Sequence, residues 1–309
     1  MPGPKLSAFV ISYNRANILG TCLRALSFAD ERVVVDKSST DGSRAIAEAH
    51  ADTLVTVPWT PTVEETRTLA LALCRHEWIL FMDDDECLSP GADRWIRTEL
   101  ASPRADIYAF PRRDYILGRH DERAYYWPEH HVRLFHRGAV TFCRTVHAGI
   151  VCHSERSMTV SPDDGICIHH LSHPDVSGWI EKTNRYTSRP DRAGIVAGPE
   201  GFAAFARQRI DHWMARTRDG DPDGYPAAVA LLRAVYDMID AVKTWEAAAG
   251  LDGSALFRQA CAALDAAYDG QRDAKPAPEA ARRWTAGAGQ RMMLAARDPG
   301  RLAAGWDHG

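Results

Sequence analysis

The first ninety residues alternate between short apolar runs and segments in which apolar residues recur at helical spacing. The apolar runs are 6–11, 32–35, 54–57 and 78–82. The helical patterns that follow the first three runs are at about 18–26, 45–49 and 63–74. Short, almost continuously apolar runs are typical of strands buried on both faces, and such strands alternating with helices form a parallel sheet. The chain is therefore predicted to be an α/β protein with a mostly parallel sheet between helices.

The rest of the chain changes character twice. Further strand candidates lie at 107–111 and 132–135, and nine of the thirteen histidines fall between residues 120 and 173. Beyond about residue 199 the pattern is that of Ala-rich amphipathic helices. These helices are expected at about 201–217, 226–249, 254–268 and 277–297. The acidic stretch 219–224 is interpreted as a linker, because it lacks the glutamate that closes a calcium loop.

Composition excludes some classes of protein. The 309 residues carry a formal net charge of −4 and no long block of Lys and Arg, so nucleic acid is not an expected partner. The seven cysteines form no CxxC pair, and the N-terminus does not resemble a signal sequence. No apolar run reaches the roughly 18 to 20 residues that a membrane-spanning helix needs. We expect a cytoplasmic protein with free thiols.

Four carboxylates, Asp83 to Glu86, come directly after the fourth apolar run. Polar stretches also follow the first two runs, at 12–15 and 36–43, and the carboxyl ends of parallel strands meet at one edge of a sheet. Clustered carboxylates repel one another unless a cation lies among them, and an Asp-x-Asp pair suits a divalent cation that bridges a diphosphate. The alternative is an acidic cap for a helix that begins near Ser89.

The stretches FVISYN at 9–14, VVDKSSTDGS at 34–43 and WILFMDDDE at 78–86 together resemble the signatures of the family 2 glycosyltransferases. The similarity is greatest to the bacterial branch of lipopolysaccharide-core glucosyltransferases. The resemblance implies the GT-A nucleotide-diphosphosugar transferase fold over residues 1–198. It divides that domain into a nucleotide-binding half, 1–90, and an acceptor half, 91–198, and leaves 199–309 as a helical C-terminal region.

The resemblance also implies a set of nucleotide-binding residues. These are Ser12, Tyr13, Asn14, Arg15, Asp36, Arg67, Asp83 and Asp84. Tyr13 would stack on the base, and Asp36 would accept a hydrogen bond from the base or the ribose. Simpler alternatives are that Asp36 forms an Asx turn after its strand and that Arg67 is an ordinary surface arginine of its helix.

A metal and a diphosphate site are implied as well. Mn²⁺ or Mg²⁺ would be held by Asp85, with Asp83 and His170 as further ligands. Lys182, Arg185 and Tyr186 would hold the diphosphate, and their spacing places them on one helical face. The alternative for the histidines at 169, 170 and 173 is a zinc site.

The catalytic base is the open question. Ala148 stands where relatives usually carry a glutamate, so another group would have to accept the proton of the acceptor hydroxyl. The candidates are Glu129, which lies in a stretch similar to the family's Pro-Asp/Glu segment, then Asp164 with its neighbour Asp163, and His147. Each of them is also explained as an ordinary loop residue.

The last thirty residues carry arginines with few acidic neighbours. These are Arg282, Arg283, Arg291, Arg297 and Arg301. Such a basic amphipathic tail either lies on an anionic membrane, as a peripheral contact at the inner face of the plasma membrane, or packs on the protein's own core or on the second subunit of a homodimer.

These expectations describe a metal-dependent, inverting glycosyltransferase of cell-surface glycan synthesis. The donor would be a nucleotide-diphosphosugar, first of all a UDP-sugar, and the acceptor a hydroxyl of a glycan, a lipid-linked sugar or a small molecule. Two alternatives stay open. A non-catalytic nucleotide-sugar-binding scaffold agrees with Ala148, and a sugar-1-phosphate nucleotidyltransferase would need a Gly-rich loop that Ser12 to Arg15 lack.

Overall fold

The computed structural model describes residues 3–60, 63–142, 149–188, 194–197, 201–218 and 223–269. The strands are β1 (Leu6–Ser12), β2 (Glu31–Asp36), β3 (Thr53–Thr56), β4 (Trp78–Asp83), β5 (Glu86–Leu88), β6 (Ile107–Ile116), β7 (Glu129–His136), β8 (Val140–Phe142), β9 (Ile150–Cys152), β10 (Ser157–Thr159) and β11 (Ile168–His173). The helices are α1 (Leu19–Ala25), α2 (Ser43–His50), α3 (Glu64–Leu73), α4 (Ala92–Ala101), α5 (Val176–Thr187), α6 (Gly201–Met214), α7 (Tyr225–Ala248) and α8 (Gly253–Asp269).

The first half of the main sheet is parallel, as the apolar runs predicted. Its strand order is β3-β2-β1-β4, and Val10 of β1 is paired with Val34 of β2 on one side and with Met82 of β4 on the other. Ser12 stands opposite Asp36, and Ile11 stands opposite Asp83. The register therefore brings the polar ends of three strands to one edge.

The second half of the sheet is mixed. Beyond β4 the order continues β7-β6-β11-β5, with β4·β7, β7·β6 and β11·β5 antiparallel and β6·β11 parallel. Strand β10 pairs in parallel with the first residues of β6, on the same edge as β11. Strands β8 and β9 form a separate two-stranded sheet. The predicted α/β class is thus confirmed.

Helices bury both faces of the parallel half, which explains why its strands are apolar at consecutive positions. Successive residues of β1 and β4 point to opposite faces of the sheet. Val10 and Leu80 lie in a core with residues of α1, α2 and α4 on one face. Phe9 and Phe81, stacked at 5.6 Å, lie in a second core with Ala70 of α3. Each face therefore has its own apolar core.

The helices expected after residue 199 are present where the structure describes them. Helices α6 and α7 belong to the compact unit that contains the sheet, and Arg209 of α6 donates from Nε to the buried Asp237 of α7 at 2.8 Å. Helix α8 belongs to a second unit that begins at Asp252. The domain boundary between residues 198 and 199 stays a prediction.

The expected helix at 277–297 and the arginines of the tail lie outside the described residues, so the membrane and homodimer hypotheses stay predictions. Among the described helices, none is long and apolar enough to cross a membrane.

Candidate active site

A cavity of about 370 Å³ opens at the carboxyl edge of β1 and β4. The predicted residues that line it are Ser12, Tyr13, Arg15, Arg67, Asp83, Asp84, Asp85, His170, Lys182, Arg185 and Tyr186. The strand register and the packing of α5 thus bring most of the predicted nucleotide, metal and diphosphate residues together. We call this cavity the donor cleft.

Asp83 ends β4 and is held by two arginines. Arg67 of α3 donates to Asp83 Oδ1 at 3.1 Å, and Arg133 of β7 donates to Oδ2 at 3.1 Å. Burial tends to raise the pKa of Asp83, but the charges of Arg133 and Arg67 outweigh it and lower the pKa below its usual value. Arg67 therefore lines the donor cleft and is paired with Asp83, and its role in binding a nucleotide stays a prediction.

Arg133 was not predicted as a site residue, although it lies in a stretch that resembles the family. It is buried, and its guanidinium also makes two hydrogen bonds of 2.7 Å to Glu86. Its guanidinium carbon lies 4.5 Å from the centre of the Phe81 ring. One buried cation thus compensates the first and last carboxylates of the acidic cluster, Asp83 and Glu86.

Asp84 faces the loop after β1. It accepts the Tyr13 backbone N–H at 3.1 Å, and Arg15 Nε lies 3.4 Å from its carboxylate. Burial, and next the charge of Asp85, raises the pKa of Asp84 to about 7. Asp84 thus holds the loop after β1 against the end of β4.

Asp85 is the carboxylate on which the cations of the cleft converge. It is only 5% exposed, and its oxygens lie 3.5 Å from His170 Nε2, 3.2 Å from Arg15 and 4.0 Å from Lys182. Burial alone would raise its pKa, but His170, Lys182 and Arg15 lower it far below its usual value. Asp85 is therefore ionised at neutral pH.

His170 lies between two carboxylates. Its Nε2 faces Asp85, and its Nδ1 is hydrogen-bonded to Asp114 of β6, the residue opposite it in the β6·β11 register. Burial opposes protonation, yet Asp85 and Asp114 raise the pKa of His170 to about 9. Asp114, which Arg112 Nε approaches to 3.2 Å, was not predicted, because its place depends on the register between distant strands.

The donor set of Asp85 and His170 fits a divalent cation. Two ligands at about 2.1 Å from one cation lie at most about 4.2 Å apart, and the separation here is 3.5 Å. The carboxylate of Asp114 behind the imidazole is the arrangement that orients metal-bound histidines. Within the described residues no group of three or more His, Cys, Asp and Glu side chains is arranged around one metal position. Mg²⁺ and Mn²⁺ suit such a sparse set, because phosphate and water oxygens complete their coordination.

Two predicted nucleotide residues do not line the donor cleft. Asp36 is buried and accepts the Ser39 backbone N–H at 3.1 Å, which is the Asx-type turn weighed as its alternative. Asn14 has a φ of 51° and accepts the Thr40 N–H at 2.8 Å, so it joins the loops after β1 and β2. Both side chains are thus engaged in loop contacts beside the cleft.

An aromatic pair stands at the mouth of the donor cleft. The ring centres of Tyr13 and Trp59 lie 5.9 Å apart, and Trp59 is 51% exposed. Exposed aromatic faces are suitable for stacking a base. Trp59 was missed, because a single tryptophan after a strand carries no motif.

A second cavity, of about 540 Å³, adjoins the donor cleft and shares Arg112, His170, Lys182 and Tyr186 with it. We call it the side cavity. It contains Glu129, whose carboxylate is 58% exposed and lies 3.7 Å from both Arg112 and His131. The nearby His131 is the largest cause that lowers the pKa of Glu129, and Arg112 adds to it against the effect of burial. Glu129 is therefore an ionised carboxylate beside the donor cleft.

The other base candidates are not brought to these cavities. Asp164 is exposed in a 3-10 turn at Pro162–Asp164 and lines neither of them. His147, like Ala148, lies outside the described residues.

The positions of His169, His170 and His173 do not support the zinc alternative, because their side chains have different partners. His169 is hydrogen-bonded to Tyr115 at 3.0 Å and lines a different cavity from His170. His173 is hydrogen-bonded to Ser172 through Nδ1 at 2.6 Å.

A model of the family described as "Glycosyl transferase family 2" matches residues 7–166, slightly more than half of the chain. The chain belongs to glycosyl transferase family 2.

Glycosyltransferases of bacteria are among the similar curated proteins. An "uncharacterized glycosyltransferase" of Rickettsia felis is 32% identical over 207 residues, which cover 63% of this chain and 71% of that protein. The "lipopolysaccharide core biosynthesis glycosyltransferase LpsC" of Rhizobium meliloti is 32% identical over 165 residues, 49% of this chain and 58% of that protein. The chain spans about half the length of other curated relatives that it matches.

Among solved structures, S. aureus TarS 1–349 in complex with UDP-GlcNAc has a TM-score of 0.43 and 14% identity. The matched region covers 74% of this chain and 70% of the TarS chain.

The family 2 match does not contain the whole site. Asp83 to Glu129 lie inside residues 7–166, whereas His170 and the three predicted diphosphate residues of α5 lie beyond it. The described helices α6 and α7, which contribute to the side cavity, also lie beyond it.

Proposed function

We propose that this family 2 protein is a metal-dependent, inverting glycosyltransferase that uses a nucleotide-diphosphosugar, first of all a UDP-sugar. The acceptor would be a hydroxyl group of a glycan, a lipid-linked sugar or a small molecule. The family membership supports the reaction class. The name of the Rhizobium relative supports a role in the synthesis of a cell-surface glycan.

The observation that carries this proposal is the environment of Asp85. A nearly buried carboxylate faces an imidazole and two cations in a cleft at the carboxyl edge of a parallel sheet, where ligands of such sheets bind. Asp85 and His170 would hold Mn²⁺ or Mg²⁺, which would neutralise charge on the diphosphate as it leaves. With a metal ion on Asp85, Arg15 and Lys182 would no longer need to pair with this carboxylate and would be available to bind phosphate oxygens.

The donor would lie across the cleft from its aromatic mouth to α5. Tyr13 and Trp59 would stack on the base. Lys182, Arg185 and Tyr186, which all line the cleft from α5, would bind the diphosphate. The anomeric carbon would then face the side cavity, which shares Lys182 and Tyr186 with the cleft.

Transfer would occur by direct displacement. Glu129 would take the proton of the acceptor hydroxyl, and that oxygen would form a bond to the anomeric carbon while the bond from this carbon to the diphosphate oxygen breaks. The electron pair leaves with the nucleoside diphosphate. Attack from the side cavity, opposite the leaving group, inverts the anomeric centre.

Turnover tests the proposal. The protein would be incubated with Mn²⁺ and each of several UDP-sugars, with and without a panel of glycan acceptors, and released UDP would be measured. We expect acceptor-stimulated release that is lost in Asp85→Ala and retained in Asp211→Asn, an exposed aspartate of α6. Donor binding without any release, in every combination, would support the scaffold alternative instead.

A further inference from the structure

We infer that the side cavity is a subsite for a glycan acceptor that carries an anionic substituent, a phosphate or a carboxylate. This inference rests on the proposed function, since it assigns the acceptor class of the same site. It concerns the end of the side cavity formed by α6 and α7, beyond the part of the chain that the family model matches.

The walls at this end are aromatic. Tyr125 and Trp213 meet edge to face, with ring centres 4.9 Å apart, and Tyr236 of α7 lies on the same cavity. Aromatic rings offer an apolar face with few conformational degrees of freedom, suited to the C–H face of a sugar ring. This wall therefore fits a glycan better than a flexible aliphatic chain.

Three arginines surround Trp213. The guanidinium carbons of Arg209, Arg216 and Arg233 lie 5.3, 5.3 and 5.0 Å from the centre of its ring. Packing of three like charges around one ring is unfavourable unless anions compensate them. The balance of charges around Trp213 thus decides what the cavity can bind.

A buried carboxylate of the protein compensates part of this cluster. Asp237 is buried, accepts Trp213 Nε1–H at 2.7 Å and is paired with Arg209 at 2.6 Å and with Arg233 at 3.4 Å. It fixes the ring and two of the guanidinium groups in place. In the described part of the chain, Arg216 has no ion pair.

Arg216 is exposed and lines the side cavity together with Arg233. The two other strong cations of the cavity have other partners in the proposed complex, because Arg112 is paired with Asp114 and Glu129 and Lys182 would bind the donor diphosphate. An anion at the α6–α7 end would therefore meet Arg216 and Arg233. With an acceptor hydroxyl at Glu129, the anionic group would lie on the same molecule, toward Trp213.

Binding of simple sugars tests this assignment. Glucose, glucuronate and glucose 6-phosphate would be titrated calorimetrically into the intact protein at constant ionic strength, first alone and then with saturating UDP and Mn²⁺. The second condition keeps the probes out of the donor cleft. The variant is Arg216→Ala, with Arg216→Glu as a charge reversal. The matched control is Arg207→Ala, an exposed arginine of α6 that does not line the side cavity.

We expect at least one anionic sugar to bind about tenfold more tightly than glucose, and Arg216→Ala to remove most of that difference, because hydrogen bonds to charged groups contribute such factors. Arg216→Glu should weaken it further, and Arg207→Ala should not. The stronger of the two anionic probes identifies phosphate or carboxylate as the group. Equal binding of glucose and the anionic sugars, or anionic binding that both Arg216 variants retain, would overturn the inference.

The same titrations separate this inference from the proposed function. UDP binding with Mn²⁺ but no preference for anionic sugars would reject only the acceptor class. Failure of UDP to bind, with the anionic preference retained, would reject the donor site and leave an anionic sugar site on α6 and α7.

Discussion

Oδ1 of Asp85 and Nε2 of His170 lie 3.5 Å apart at the carboxyl edge of the sheet. The other nitrogen of the same imidazole faces Asp114, so a carboxylate orients the ring from behind. Asp85, the first predicted metal ligand, thus faces the imidazole of His170, and Asp114 of the neighbouring strand β6 fixes the orientation of that ring.

Removal of the charge behind His170 should weaken metal binding. Asp114→Asn is expected to lower the affinity of the UDP-bound protein for Mn²⁺ by about 10- to 100-fold, as loss of such orienting carboxylates does. The measurement is a calorimetric Mn²⁺ titration with UDP present. Asp211→Asn is the control for the loss of one negative charge. Unchanged Mn²⁺ affinity in Asp114→Asn would argue against His170 as a metal ligand that Asp114 orients.

The two carboxylates considered as the base should behave differently. Glu129→Gln is expected to lower kcat by roughly 100- to 10,000-fold with donor affinity unchanged, because it removes proton transfer and leaves the donor cleft intact. Asp164→Asn should leave kcat unchanged, since Asp164 lines neither cavity. Steady-state kinetics of UDP release measures both. A loss of kcat in Asp164→Asn alone would reverse the assignment.

Arg133 should contribute more to stability than an arginine of a more exposed ion pair. Arg133→Met leaves Glu86 buried without its partner, and such a change costs about 3 to 5 kcal/mol of the free energy of unfolding. Arg32→Met, which removes a more exposed pair with Asp52, should cost at most about 1 kcal/mol. Urea denaturation at pH 7 measures both values. Equal losses of unfolding free energy in the two variants would show that the buried Arg133 pair stabilises the protein no more than the exposed Arg32 pair.

Glu31 should make stability depend on pH in the acid range. Its buried carboxylate accepts from Ser7 and from the backbone N–H and Nε of Arg75. Burial tends to raise its pKa, but these hydrogen bonds and the Arg75 charge lower it below its usual 4.5. A lowered folded pKa means that this stabilisation is present above pH 4.5 and is lost as pH falls through the folded value.

The comparison with Glu31→Gln isolates this effect. The difference in unfolding free energy between wild type and Glu31→Gln, from urea denaturation, should be largest at pH 7 and shrink toward pH 3. A difference that stays constant over this range would mean that folding does not lower the pKa of Glu31.

Sequence reasoning found the parts of the site that depend on local rules. Asp83 and Asp85 follow a parallel strand, and the ends of parallel strands must meet, so their convergence with Tyr13 could be predicted. Lys182 and Tyr186 are four residues apart on one helix, so their common face could be predicted too.

The remaining parts depend on contacts between distant segments. Asp114 meets His170 only through the pairing of β6 with β11, which no pattern in either strand specifies. Strand β5 has three residues, too few to show a period. The side cavity is lined in part by residues of α6 and α7, which lie far along the chain from the sheet. Asp36 belongs to a recognisable motif, but its carboxylate accepts a hydrogen bond within its own turn and does not line the donor cleft.

A calorimetric titration of UDP, GDP, CDP and TDP into the protein, with and without Mn²⁺ and repeated with Asp85→Ala, tests whether Asp85 holds a cation against a diphosphate. We expect one nucleoside diphosphate, first of all UDP, to bind with Mn²⁺, and Asp85→Ala to abolish this metal-dependent binding. Equal binding with and without metal, or full binding in Asp85→Ala, would show that Asp85 does not hold such a cation.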